Sequence, residues 1–274
     1  MPKLIEDGRH RTSASSQDGE GASPRPAEPS RARCRARAKT LLTILAALVL
    51  APLTVVVGMG IPGNGYYLSG TLIVLYAIVP FFVAFEGRRP TAREIAVVAV
   101  LTALAVAARA AFVWVPHFKP MAAIIMIAGI AAGPQTGFLV GSVAALASNF
   151  IFGQGPWTPW QMLAFGVAGL VAGLLADSRV FPRANLSWPR RIALAVTGFV
   201  LIVGLAGPIL DTSTFFYLST APTPELAATV YLAGLPVNAI HGVATALALL
   251  VVANPLLDQL ARVRVKYGLL NRSS

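Results

Sequence analysis

Apolar runs close to twenty residues long alternate along this chain with short polar or basic stretches, and that pattern predicts membrane-spanning helices. A bilayer core about 30 Å thick takes roughly 20 apolar residues for each helical crossing. Eight spans are expected, over 40–58, 67–86, 94–114, 121–133, 136–152, 161–177, 191–210 and 227–254. Two of them, 121–133 and 136–152, are short and separated by Pro134 and Gln135. Gly133-Pro134 is a turn signal and proline stops a helix, so these two should form a tight hairpin. The stretch from Asp211 to Glu225 reads as a long aromatic and proline-containing loop (Phe215, Phe216, Tyr217, Pro222, Pro224).

Composition agrees with the pattern. Hydrophobic residues make up 56% of the 274 positions and charged residues 12%, against roughly 25% charged in a soluble domain. Residues 1–38 are the exception: rich in Ser, Pro, Arg, Gly and Glu, they carry too little apolar surface to offset ordering entropy and are expected to be a disordered basic tail. The first hydrophobic run has no convincing small-residue cleavage site after it and reads as a retained helix. A domain division follows: the tail 1–38, a two-helix membrane segment 39–92, and a six-helix domain 93–274.

The net charge of +11 reports topology rather than nucleic-acid binding, because the basic residues lie between the spans. With both termini cytoplasmic, segments 1–39, 87–93, 134–135, 178–190 and 255–274 hold nine, three, none, three and four Lys/Arg, and Arg191 adds one at a helix end. Of the 22 in the chain only Arg109 and Lys119 remain. The rule that cytoplasmic loops carry the positive charge is therefore obeyed almost completely. The single cysteine, Cys34, excludes an internal disulfide framework and a thiolate metal cluster.

Lipid tails are as apolar as leucine, so helices in a bilayer associate by close approach at small residues. Gly129/Gly133, Gly137/Gly141 and Gly169/Gly173 have that spacing, and Ala99, Ala103 and Ala107 form an alanine stripe. The plain role of such pairs is packing within the chain; the sharper role for the alanines is docking on a partner.

Intramembrane polar groups are costly and mark function. The candidates are Arg109, Asn149, Gln154, Gln161, Asn238 and His241, with His117 and Lys119 in an adjacent outer loop. Asn238, His241 and Thr245 share a helix face by spacing, as do Ser142, Ala145 and Asn149. In Gly153-Gln154-Gly155-Pro156-Trp157-Thr158-Pro159-Trp160-Gln161 two glycines and two prolines fix a compact turn. Trp157 and Trp160 serve there either as interface anchors or, with Gln154 and Gln161, as a stacking and hydrogen-bonding surface for a flat or macrocyclic ligand. There is no Gly-x-x-x-x-Gly-Lys-Ser/Thr loop for ATP, no Gly-x-Ser-x-Gly or His-Glu-x-x-His for hydrolysis, and Asp211 and the other acids fall at span edges. Any energy for transport is expected from another subunit.

From about Arg93 to the C-terminus the chain resembles the S components of energy-coupling factor (ECF) transporters, the substrate-binding subunits of vitamin importers. The residues that carry the resemblance are the alanine stripe, Arg109-Ala-Ala-Phe, Pro116-His-Phe-Lys-Pro, Ser148-Asn-Phe and Gly153-Gln-Gly-Pro-Trp-Thr-Pro-Trp-Gln-Met. They are similar to a subgroup with two extra N-terminal helices, associated with cobalamin. The resemblance implies an all-α integral membrane protein of the cell membrane, not an enzyme, with no cofactor of its own. A vitamin would be held by Arg109, His117, Lys119, Asn149, Gln154, Trp157, Trp160, Gln161, Asn238 and His241. Ala99, Ala103 and Ala107 would dock on a transmembrane scaffold subunit coupled to two ATPases. The alternative is a stand-alone carrier or intramembrane enzyme using Arg109, Asn238 and His241.

Overall fold

The structure is a computed structural model that describes residues 92–183, 185–218 and 223–266, with isolated helical positions between 38 and 79. The expected tail and most of the first two spans lie outside the described residues. The described residues are helical throughout, joined by short connections. Helices α1 (Ala92–Ala111), α2 (Met121–Ala132), α3 (Pro134–Phe152) and α4 (Thr158–Asp177) are followed by α5 (Trp188–Leu201), a π-helical turn (Ile202–Ala206), α6 (Gly207–Leu218) and α7 (Pro224–Lys266). Helices α1, α3, α4, the α5–α6 rod and α7 are long and apolar enough to cross a membrane, and α2 is a shorter apolar helix. This is an all-helical, multi-pass membrane protein.

Local chemistry sets the helix ends. Gly133, at φ 101°, closes α2 with its N–H on the Gly129 carbonyl at 2.8 Å, and Pro134 opens α3 at the position where its missing N–H costs nothing. Gly153, at φ 105°, ends α3 in the same way, its N–H on the Asn149 carbonyl at 2.8 Å. The hairpin expected at Gly133-Pro134 is present. Pro208 disturbs the next helix: a proline lacks an N–H and its ring crowds the carbonyl four residues back, and the π-helical turn immediately precedes it.

The long loop expected from Asp211 is not there. The chain stays helical to Leu218, because the Thr212 and Ser213 hydroxyls turn back onto the Pro208 and Leu210 carbonyls at 2.7 Å and hide their polarity inside the helix. Asp211 thus lies within a span rather than at its edge.

Helix α2 is the hub. Eleven of its 12 residues are buried, and it packs on α1, α3, α4 and α7. A helix of 12 residues rises only about 18 Å, so α2 crosses part of a bilayer wrapped in protein. By contrast Ile95, Val100, Val196, Val200, Leu232 and Val251 stand exposed on α1, α5 and α7, the apolar surface that lipid would cover.

Helices α2, α3 and α4 meet through glycine. A Cβ placed on Gly129, Gly137, Gly141 or Gly169 would strike the backbone of the facing helix, Gly129 and Gly137 both meeting the Gly169 carbonyl and Gly141 that of Phe165. Gly129, Gly137, Gly141, Gly169 and Gly173 therefore pack within the chain, while Gly133 serves the turn. At one end of the bundle the start of α1, the end of α2, the α4–α5 connection and the end of α7 come together around Val97, Ala132, Arg183, Leu260 and Arg264. Arg183 there pairs with Asp177 and donates from Nε to the Ile130 carbonyl at 3.1 Å. Asn254 of α7 clasps the α4–α5 connection, accepting from the Leu186 N–H at 2.9 Å and donating to its carbonyl at 3.0 Å. Arg109, Lys119 and the 153–161 turn occupy the opposite end.

Because the glycine contact has no slack, Gly169→Leu is expected to cost more than about 3 kcal/mol and to abolish a monodisperse folded peak on gel filtration in detergent. Gly204→Ala, where a Cβ meets nothing within 4 Å, should leave the thermal midpoint unchanged or slightly raised. Equal loss in both variants would refute this account of the packing.

Candidate functional site

At the end of the bundle away from the basic loops, α1, α3 and α4 share one hydrogen-bonded network. Arg109, in the last turn of α1, is 8% exposed. Its Nη1 donates to Ser148 Oγ at 2.5 Å and to Asn149 Oδ1 at 3.0 Å, both on α3. Asn149, fully buried, donates from Nδ2 to Thr158 Oγ1 at 2.9 Å and to Gln161 Oε1 at 2.8 Å, both on α4. Thr158 Oγ1 donates to Gln154 Oε1 at 2.9 Å and accepts from the Gly155 N–H at 3.4 Å. Gln154 returns Nε2 to the Leu146 carbonyl at 3.2 Å. The Phe152 ring lies over the guanidinium, its centroid 4.7 Å from Cζ.

The α1–α2 connection closes over this end. His117 is exposed and holds a positive φ of 61°, a backbone state seldom taken by a residue with a side chain. The bend brings Lys119 back, half-buried, toward the bundle. Burial, and next the positive charge of Arg109, hold the Lys119 ammonium below its ordinary pKa. His241 of α7 sits 5.7 Å from the Phe165 ring, centroid to centroid, within electrostatic reach of Lys119, Arg109 and His117.

Of the ten residues expected to hold a ligand, Arg109, Asn149 and Gln161 are joined directly and Gln154 joins them through Thr158; His117 and Lys119 lie in the connection that closes over this end. Trp157 is half-buried with its indole folded over Gly155. Trp160 is turned inward, 5% exposed, against Phe215 and Val230. Asn238 goes elsewhere. Its Nδ2 donates to Asp211 Oδ2 at 2.8 Å on α6, so the face it shares with His241 by spacing divides between two neighbours. Among the described residues no hydrogen bond links Asn238 to Arg109 or His241; its amide is engaged with Asp211.

Two residues at the centre were not foreseen as site members, Ser148 and Thr158, and Asp211 was misplaced at a span edge. Thr158 opens α4 one turn before Gln161, which is the signal that it shares a face with that amide. Ser142, on the face of α3 shared with Asn149, reaches the Met162 carbonyl at 2.9 Å and shows which way that face points. Among the described residues no group of three His, Cys, Asp or Glu is placed to hold a metal.

The family model described as "ECF-type riboflavin transporter, S component" matches residues 90–262. The chain belongs to this ECF S-component family. The family is one of transporter components. The chain is also 30% identical over 104 residues to the UPF0397 protein VS_II0189 of Vibrio atlanticus (strain LGP32). That overlap spans 37% of this chain and 53% of the relative, so the chain covers about half the length of the curated relative it matches. No solved structure matches it significantly.

The network makes a stability prediction. Asn149→Leu strands Arg109, Thr158 and Gln161 at once and is expected to cost about 3 kcal/mol or more, since each buried unsatisfied group costs about 1–3. Gln154→Ala, at an exposed position, should cost less than about 1 kcal/mol. Intrinsic-fluorescence melting in detergent reads both, and equal effects would contradict the central place given to Asn149.

Proposed function

We propose that this chain is the high-affinity capture subunit of an ATP-driven ECF vitamin importer of the cell membrane. Family membership supports the subunit role, and the observation that carries the binding site is the polar network from Arg109 to Gln161 at the end opposite the basic loops. By the charge rule the basic end is cytoplasmic with both termini, which turns the network outward, where cargo arrives. The tail 1–38, the helix pair 39–92 and the binding domain 93–274 are the proposed units.

The cargo reading has two supports. The family description names riboflavin, and the Gly153–Met162 run is similar to cobalamin-type S components. Both are large ring systems with amide-type edges, for which Trp157 offers a half-buried indole face beside the Gln154 and Gln161 amides. Lys119, His117, Asn149, His241 and Arg109 would form the floor and rim, with Trp160 and Asn238 holding the surrounding helices.

For the partner, Ala99, Ala103 and Ala107 stand exposed on one face of α1. Small side chains there permit close helix approach without polar cost, the chemistry expected of a face that docks on a scaffold subunit joined to two ATPases.

The test is calorimetry on the detergent-purified chain with riboflavin, cobalamin and cobinamide. Submicromolar binding of one compound, weakened about tenfold or more in Trp157→Ala, would name the cargo. Ala99→Leu with Ala103→Leu should abolish uptake by the assembled transporter while leaving that binding constant unchanged. Uptake into proteoliposomes by this chain without ATPases would favour the stand-alone carrier instead.

A further inference from the structure

Twenty of the 22 Lys/Arg residues lie in the basic loops and tail or at a helix end beside them. The remaining two, Arg109 and Lys119, lie at the other end, in the last turn of α1 and in the connection that follows it; two of the three histidines are there too, His117 in that same connection and His241 of α7 against Phe165. The charge rule works against cations at that end, so their gathering there has a local cause.

Arg109 is the sharpest of them. A guanidinium stays charged in proteins, and this one is more than nine-tenths buried. Its partners among the described residues are a hydroxyl, an amide oxygen and an aromatic ring. None is a carboxylate, and its Nε finds no hydrogen-bond partner there. The same holds for Nε2 of His241, buried on the facing helix. Of the described carboxylates, Asp177 pairs with Arg183 in the basic half and Asp211 accepts from Asn238; Glu94 opens α1 and Asp258 lies near the end of α7, both toward the basic end, and Glu225 is exposed at the start of α7. A buried cation without a counter-charge is expensive, whereas one that an incoming anion neutralises becomes a strong, charge-assisted contact.

We propose that Arg109, Lys119 and His241 form an oxyanion-binding subsite that takes a phosphate-type group, carried either by the cargo or by an outer-leaflet lipid. The inference rests on the importer reading for its cargo arm and adds what that reading leaves open: of two cargo molecules alike in their rings, the phosphate-bearing one is preferred. Phe152 covers the guanidinium from one side, so binding proceeds by displacing a ring rather than a salt bridge.

The experiment uses the full chain in neutral detergent and two matched pairs, riboflavin with riboflavin 5′-phosphate and cobinamide with cobinamide phosphate, plus pyrophosphate alone. Binding is read by calorimetry and by thermal midpoint, for wild type, Arg109→Gln, Arg109→Lys and Lys119→Gln. At least one phosphate-bearing probe, pyrophosphate included, is expected to bind wild type about tenfold tighter than Arg109→Gln, with Arg109→Lys between. If Arg109→Gln does not fold, Lys119→Gln, altered at a half-buried loop position outside the network, carries the comparison.

A shift produced by phosphatidylglycerol in mixed micelles, lost in the same variants and matched by no soluble phosphate, supports the subsite and assigns it to a lipid headgroup. Wild type and variants responding alike to every phosphate probe and to phosphatidylglycerol would overturn the subsite. Vitamin binding without phosphate discrimination, together with no variant-sensitive response to pyrophosphate or phosphatidylglycerol, would overturn it while leaving the importer reading intact. A pyrophosphate response with no vitamin bound would count against the importer reading alone.

Discussion

The close backbone contact among α2, α3 and α4 is the constraint on which the rest of the structure depends. In a bilayer there is no water to drive helices together, so association rests on packing and on interhelical hydrogen bonds. Gly129, Gly137, Gly141 and Gly169 remove the side chains that would hold these helices apart. Once α3 and α4 touch at Gly141 and Phe165, residues about one to two turns away toward the same end, Asn149 on one helix and Thr158 and Gln161 on the other, come within hydrogen-bond distance. The polar network is thus a consequence of the glycine contact and also its second clasp.

That arrangement leaves a polar assembly where apolar solvent would otherwise surround it. Asn149 uses its oxygen and both amide protons within the protein, and Thr158 uses its hydroxyl as donor and acceptor. Each is fully employed, which makes the assembly rigid. Arg109 differs, since its hydrogen bonds satisfy part of the guanidinium and none of its net charge. A rigid frame holding one under-compensated cation is what a capture site for a polar ligand needs, because little ordering remains to be done when the ligand arrives.

The opposite half of the molecule has a different character. Asn254 and Arg183 tie the α4–α5 connection to the bundle through backbone carbonyls and the carboxylate of Asp177. The π-helical turn before Pro208 and the prolines within α7, Pro236 and Pro255, interrupt the regular ladder of the two peripheral helices. The central hairpin α2–α3 and its partner α4 have no comparable break. Rigidity is concentrated where the network sits, and irregular backbone is left to the helices around it.

The sequence by itself determined that the chain lies in a membrane, where most of its helices run and where the Gly133-Pro134 hairpin turns, because hydropathy and turn chemistry are local properties. It also singled out Arg109, Asn149, Gln154 and Gln161, since polar groups within apolar spans stand out without any knowledge of their neighbours. Only the tertiary structure decided which of them meet. Asn238 and His241 share a helix face, yet Asp211 on α6 takes the first and the Lys119 turn and Phe165 surround the second. Trp160 differs from Trp157 in burial although only three positions separate them, and the Asp211–Leu218 stretch is helix because its hydroxyls find carbonyls in the preceding turn. Periodicity says which residues point the same way. What lies in that direction depends on helices distant in sequence, and close packing at a few glycines fixed it.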